Sequence, residues 1–142
     1  MGPLGLGSVL SLGKRSAFDP FEQWGGETFW IWSYLSLRFF GLVAVVPLVE
    51  EFFLRGFVMR FIIGPEWWKI PFGTLTPAAI FAGTLVGVLL HPSELFAAAV
   101  WFSLVTWLMY MTRSIWDCVA AHAVTNLLLG VWVLASGEWY FL

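Results

Sequence analysis

Residues 47–57 read Pro-Leu-Val-Glu-Glu-Phe-Phe-Leu-Arg-Gly-Phe, which sets two adjacent carboxylates and a guanidinium inside an otherwise apolar helical pattern. An ionised carboxylate in hydrocarbon is costly unless it is paired, hydrated or protonated. Glu51 and Arg55 are four apart with the acid first, the better order for a pair on one helix face. Glu50 points about 100° away round the helix and needs a partner from elsewhere in the chain. Few candidates exist. The chain has two histidines, His91 and His122, both in apolar stretches, and Asn126 follows His122 by four residues.

These residue types suit one chemistry in particular. A carboxylate and a histidine can bind and deprotonate a water. A second histidine and an amide can donate to the oxyanion that forms when that water attacks a peptide carbonyl. No serine or cysteine stands out as a nucleophile beside a base, so direct attack by water is the economical mechanism. Each group also has a plainer reading. The two carboxylates can sit wet at a membrane interface. His122 and Asn126, on one helix face, can glue helices together for about 1 kcal/mol, and His91 can simply end a helix. The single cysteine, Cys118, excludes an internal disulfide and a cysteine-rich metal site and reads as a small core residue.

The elements that must position these groups are membrane helices. The chain has 142 residues, 60% of them hydrophobic and 11% charged, against about 25% charged in soluble domains. A net charge of −2 gives no argument for nucleic acid. Ten tryptophans suit aromatic belts at the two membrane faces. Residues 1–27 read as a tail. Glycines at 2, 5, 7 and 13 make poor helix, Lys14-Arg15 is not followed by the apolar core of a signal peptide, and the Met-Gly start does not match a myristoylation site. Phe18, Phe21 and Trp24 are expected to anchor a short interfacial turn.

Residues 28–142 read as one helix bundle. The run 28–63 would be about 54 Å long if straight, against a hydrocarbon core of about 30 Å. Pro47 is expected to kink or break it near residues 43–47. Residues 64–76 form a loop with Trp67, Trp68 and Lys69 at the headgroup layer. Thr76-Pro77 starts the next helix, whose Gly83 and Gly87 allow close approach of a neighbour. His91-Pro92 ends it. Leu95 to Thr112 is uncharged and long enough to cross, and Ser114 with Asp117 caps the last helix. The reading is all-α: a polytopic membrane bundle of four to five transmembrane helices, the first kinked near Pro47. Basic residues are too few to set its orientation.

Glu50-Glu51-x-x-x-Arg55, a histidine in the next helix, and His122-x-x-x-Asn126, in that order, resemble the CPBP family of CAAX proteases and bacteriocin-processing enzymes, also called Abi. The resemblance covers roughly residues 28–137. The segments Phe18-Asp-Pro-Phe-Glu, Val46-Pro-Leu-Val-Glu-Glu and Ala121-His-Ala-Val-Thr-Asn-Leu-Leu-Leu-Gly resemble the bacterial branch found beside exosortase systems. The resemblance implies a multi-pass intramembrane endopeptidase of the bacterial inner membrane. It implies a peptide or protein substrate, in some relatives its C-terminal segment. It implies that Glu50 activates water, that His91 helps hold it, that His122 and Asn126 stabilise the oxyanion, and that Glu51 and Arg55 support the site. Glu50, His91 and His122 also match a two-histidine, one-carboxylate set for a divalent metal such as zinc. Metal-bound and metal-free versions need the same residues. Two departures stand out. The second motif usually reads Phe-x-x-x-His, but position 87 is Gly. Relatives also carry more helices upstream, so the chain is expected to be either a truncated product or a core that lacks part of the substrate portal. The competing readings are a non-catalytic scaffold or immunity protein of the same fold, and a small channel or transporter subunit, which the lack of inverted repeats weakens. Oligomeric state is not legible.

Overall fold

The computed structural model describes residues 17–141, and every regular element among them is helical. The glycine-rich first stretch and Lys14-Arg15 lie outside the described residues. Helix α1 (Pro20–Gln23) starts on Asp19, whose carboxylate accepts from the amides of Phe21 at 2.8 Å and Glu22 at 3.4 Å. Pro20 takes the first helical position, where no amide is missed.

Residues 28–63 are helical throughout, but the winding changes. The run comprises α2 (Thr28–Phe40), a π-wound turn (Gly41–Val45), α3 (Val46–Glu51), a second π-wound turn (Phe52–Val58) and α4 (Met59–Ile63). Pro47 therefore does not interrupt the helix. The strain is taken up one turn earlier, where the Val46 amide donates to Gly41 O, five residues back. In that register Leu42 O would next accept from residue 47, which has no N–H. Leu42 O is thus left without a helical donor and needs another.

The loop after α4 contains a 3₁₀ turn (Trp67–Lys69) and is clamped by Arg60. Its guanidinium donates to the carbonyls of Ile70 at 2.9 Å, Gly56 at 3.2 Å and Trp68 at 3.3 Å. Helix α5 (Pro77–Leu90) starts on Thr76, whose hydroxyl accepts from the Ala79 amide at 3.2 Å, and stops at His91 ahead of Pro92. Helix α6 (Leu95–Thr112) ends on Arg113 in the left-handed region at φ 54°. Ser114 opens α7 (Ile115–Ser136) by accepting from the Asp117 amide at 3.3 Å.

The chain divides into two compact units, one holding Glu51–Cys118 and the other the described residues up to Glu50 together with those from Val119 onward. In the first, Met59, Ala79, Val105, Met109 and Cys118 form one core and Leu54, Ala98 and Phe102 another. The buried face of α5 is Ala79, Gly83 and Gly87. A Cβ at Gly83 would stand 2.8 Å from Met59, and one at Gly87 2.5 Å from the Phe102 ring. The small residues are what let these helices touch. In the second unit Ile31, Leu35, Val133 and Trp139 form the core. Phe18, Trp24 and Tyr34 stack edge-on beside it, with ring centroids 5.1–5.6 Å apart, so the expected anchors pack inward in part.

Helix α6 buries a single stripe, Ala98, Phe102, Val105, Thr106 and Met109, yet exposes Phe96, Leu104, Trp107 and Met111. A helix that is apolar all round and mostly uncovered by protein is matched to lipid. Both α6 and α7, with 18 and 22 residues, are long and apolar enough to cross a membrane. Helix α5, with 14 residues, reaches only about 21 Å at 1.5 Å per residue.

Candidate active site

The first motif divides its two acids between different tasks. Glu51 and Arg55 are 0% and 1% exposed, and Arg55 Nη1 donates to Glu51 Oε2. Arg55 Nη2 donates to Phe102 O at 3.1 Å, and the guanidinium lies 5.7 Å from the centroid of the Phe102 ring. The second π-wound turn carries Arg55 on the same buried face as Leu54. This ion pair is fully inside the protein and gains one backbone carbonyl of the neighbouring helix as a further acceptor, while Arg55 Nε stays buried without a partner among the described residues.

Glu50 faces elsewhere. Its Oε2 lies 3.9 Å from His122 Nε2, and that oxygen is buried with no hydrogen-bond partner among the described residues. The gap is too long for a direct hydrogen bond. His122 is 4% exposed. One turn along the same helix, Asn126 Nδ2 donates to Leu42 O at 2.9 Å. This is the carbonyl that Pro47 leaves without a helical donor. Asn126 therefore tethers the turn that leads into Glu50, while His122 stands over Glu50 itself.

The tether can be tested without assaying any reaction. Asn126→Ala should lower stability by about 1–3 kcal/mol by stranding Leu42 O. Pro47→Ala restores an N–H at position 47, so the same asparagine change should cost less in that background. Thermal melts of the four proteins of this double-mutant cycle should show coupling of about 0.5 kcal/mol or more. Additive losses would mean that Leu42 O does not depend on Asn126.

His91 lies in the other unit, at the end of α5. Its Nδ1 is 2.9 Å from Gly87 O, which can only accept, so Nδ1 carries the proton and a neutral ring leaves Nε2 as an acceptor. Phe102 packs against the imidazole at 5.3 Å between ring centroids. The aromatic that position 87 lacks is made up in space: the Phe102 ring fills the volume that a side chain at 87 would need. Gly87→Ala should therefore destabilise the fold by about 1–3 kcal/mol through overpacking. A melt unchanged by that substitution would show that Phe102 moves aside freely.

The structure thus gathers Glu50, His122 and Asn126 in one unit, and Glu51, Arg55, Phe102 and His91 in the other. A family model, type II CAAX prenyl endopeptidase Rce1-like, matches residues 30–128. The chain belongs to this family. No curated protein and no solved structure matches it. Rce1-like proteins are membrane peptidases, in keeping with the outward apolar faces of α6 and α7.

Of the three groups that the sequence offers a divalent metal, Glu50 and His122 share one unit and His91 belongs to the other. Among the described residues no three His, Cys, Asp or Glu side chains are grouped to hold an ion. Glu50 and His122 supply two donors, one fewer than the protein ligands of a catalytic zinc. Sequence reasoning missed Phe102 and Leu42. Both act partly through backbone carbonyls, which leave no mark on residue type. The glycine at 87 was the available signal for Phe102, since a missing side chain in a packed helix must be filled from a neighbour.

Proposed function

We propose that this Rce1-like chain is an intramembrane endopeptidase that hydrolyses a peptide bond near the membrane face, with Glu50 as the base that deprotonates the attacking water. The observation that supports this most is the unsatisfied Glu50 Oε2 beside His122 in a chain of this family. A water placed about 2.8 Å from both atoms would bridge the gap. It would also give a buried carboxylate oxygen the partner its desolvation demands. His122 and the second N–H of the Asn126 amide are the proposed donors to the oxyanion. His91 keeps the water-holding role that the family resemblance implies, and that role rests on the resemblance alone. Glu51 and Arg55 support the fold around the site.

The same proposal has residues 28–63, α5, α6 and α7 crossing a bacterial inner membrane four times, since the unbroken helix at Pro47 does not separate two crossings. The narrower placement beside exosortase systems rests on the three segments quoted above. The test is cleavage of a membrane-tethered peptide by purified protein in nanodiscs, with and without a chelator. Cleavage by wild type but not by Glu50→Gln supports the reading, and a chelator that stops it would move the mechanism to a metal. No cleavage of any tethered peptide would favour the second reading, a non-catalytic scaffold of the same fold. One observation favours that second reading: the Asn126 amide already has structural work at Leu42 O.

A further inference from the structure

We propose that the cavity beside the Arg113 turn is a binding site for the phosphate headgroup of an anionic phospholipid, independent of the peptidase reading. The cavity is an open depression of about 620 Å³ within the unit Glu51–Cys118. Its walls are aromatic, with Phe52, Phe57, Trp67 and Trp116 among them, and its charged lining is Arg60 and Arg113. No acidic residue lines it among the described residues. The lining therefore carries two positive charges in a chain whose net charge is −2.

The two arginines differ in a way that identifies the ligand-facing one. All three kinds of nitrogen in the Arg60 guanidinium are spent on carbonyls, and its carbon lies 5.6 Å from the centroid of the Trp67 ring. Arg60 shapes the wall and contributes its field. The Arg113 guanidinium has no hydrogen bond or ion pair among the described residues and is exposed. Its backbone is the one non-glycine position at positive φ among the described residues, where glycine or asparagine would be easier to hold. The loop bends sharply there with a long side chain whose stem lies against Gly73 and whose charged end is left over from the fold. That is the arrangement expected of a residue retained for what it binds.

Position argues for a lipid as the source of the anion. Arg113 and Ser114 join α6 to α7, the two helices long and apolar enough to cross, so this turn stands where both leave the hydrocarbon. Trp67 and Trp68, placed beside it by Arg60, suit the headgroup layer. Phe52, Phe57 and Trp116 are exposed, at 45%, 36% and 63%, and offer an apolar wall on which acyl chains can lie while the phosphate meets the guanidinium. Basic pockets between transmembrane helices are a recurring solution for headgroup capture. The other cation of this loop, Lys69, is held by Glu66 and does not line the cavity.

The test uses the full chain in mild detergent, titrated with phosphatidylglycerol or phosphatidylcholine and read by native mass spectrometry. Wild type should retain one phosphatidylglycerol in preference to phosphatidylcholine. Arg113→Gly should lower that preference by about five- to tenfold, and Arg113→Lys should keep most of it. Glycine is at ease at φ 54°, so the first variant should melt no lower than wild type and the loss is not one of folding. Equal binding of the two lipids by wild type, or an undiminished preference in Arg113→Gly, overturns the proposal. Displacement of the lipid by millimolar inorganic phosphate alone, or by a peptide with a free C-terminal carboxylate but not by its amide, also overturns it, in favour of a free-anion or a peptide site.

Discussion

Glu50→Gln should leave the protein folded and lower turnover by about 10²–10⁴-fold, the usual weight of a general base. Glutamine keeps the length and the hydrogen-bonding capacity of the side chain and removes only the proton acceptor. The environment of Glu50 makes this a clean change. Its Oε2 makes no hydrogen bond among the described residues, and His122 stands 3.9 Å away. The change therefore removes no hydrogen bond of that oxygen. Substrate binding should survive, because the base acts on the transition state and not on the ground state. The measurement is cleavage rate at saturating substrate alongside direct binding, in nanodiscs. Wild-type rates would remove Glu50 from the chemistry. Lost binding with unchanged turnover at saturation would make it a recognition residue.

Arg55→Ala should behave in the opposite way, as a folding defect first. The guanidinium is 1% exposed, bonds Glu51 and Phe102 O, and sits against the Phe102 ring. Removing it leaves a fully buried carboxylate without its cation, and Phe102 O loses the donor it has beyond its own helix. Breaking one side of such a pair costs about 3–5 kcal/mol. The double change Arg55→Met/Glu51→Leu, of similar volume and with no charge, should recover much of that loss. Melting temperature and the yield of monodisperse protein report both. A single variant as stable as wild type would mean that Glu51 is neutralised some other way, by protonation or by water.

Much of this was open to sequence reasoning because it depends on local spacing. The Glu51–Arg55 pair follows from four residues of helix. The start of α5 at Thr76-Pro77 and its end at His91-Pro92 follow from what proline does to its own amide and to the residue before it. Gly83 and Gly87 mark a buried face because only close approach repays two glycines in one helix. Pro47 was harder. A proline inside a helix demands that one carbonyl find a new donor, but it does not say how. A break and a loosened turn both satisfy the demand, and the choice was made by Asn126, which is distant in sequence. The π winding at Phe52–Val58 likewise has no residue-type signature. In the candidate site, the residue types pointed to Glu50, His91, His122 and Asn126. They did not reveal that Asn126 would be holding Leu42 O, nor that Phe102 would lie against both Arg55 and His91.

The bond from Asn126 to Leu42 O spans 84 residues of chain, and that separation sets an order of events during synthesis. At about 5–20 residues per second, the asparagine leaves the ribosome roughly 4–17 s after the carbonyl it will serve. For that interval the turn ahead of Glu50 has been made but cannot be locked. His122, made only moments before Asn126, is also absent, so Glu50 has neither neighbour. The nascent chain therefore carries Glu50 in an unfinished setting until α7 is made. A helix made late in this sequence completes one made early. A ribosome that stalls before α7 would release a chain with Glu50 present and neither His122 nor Asn126 built around it, a form that quality control can recognise by its stranded polar groups.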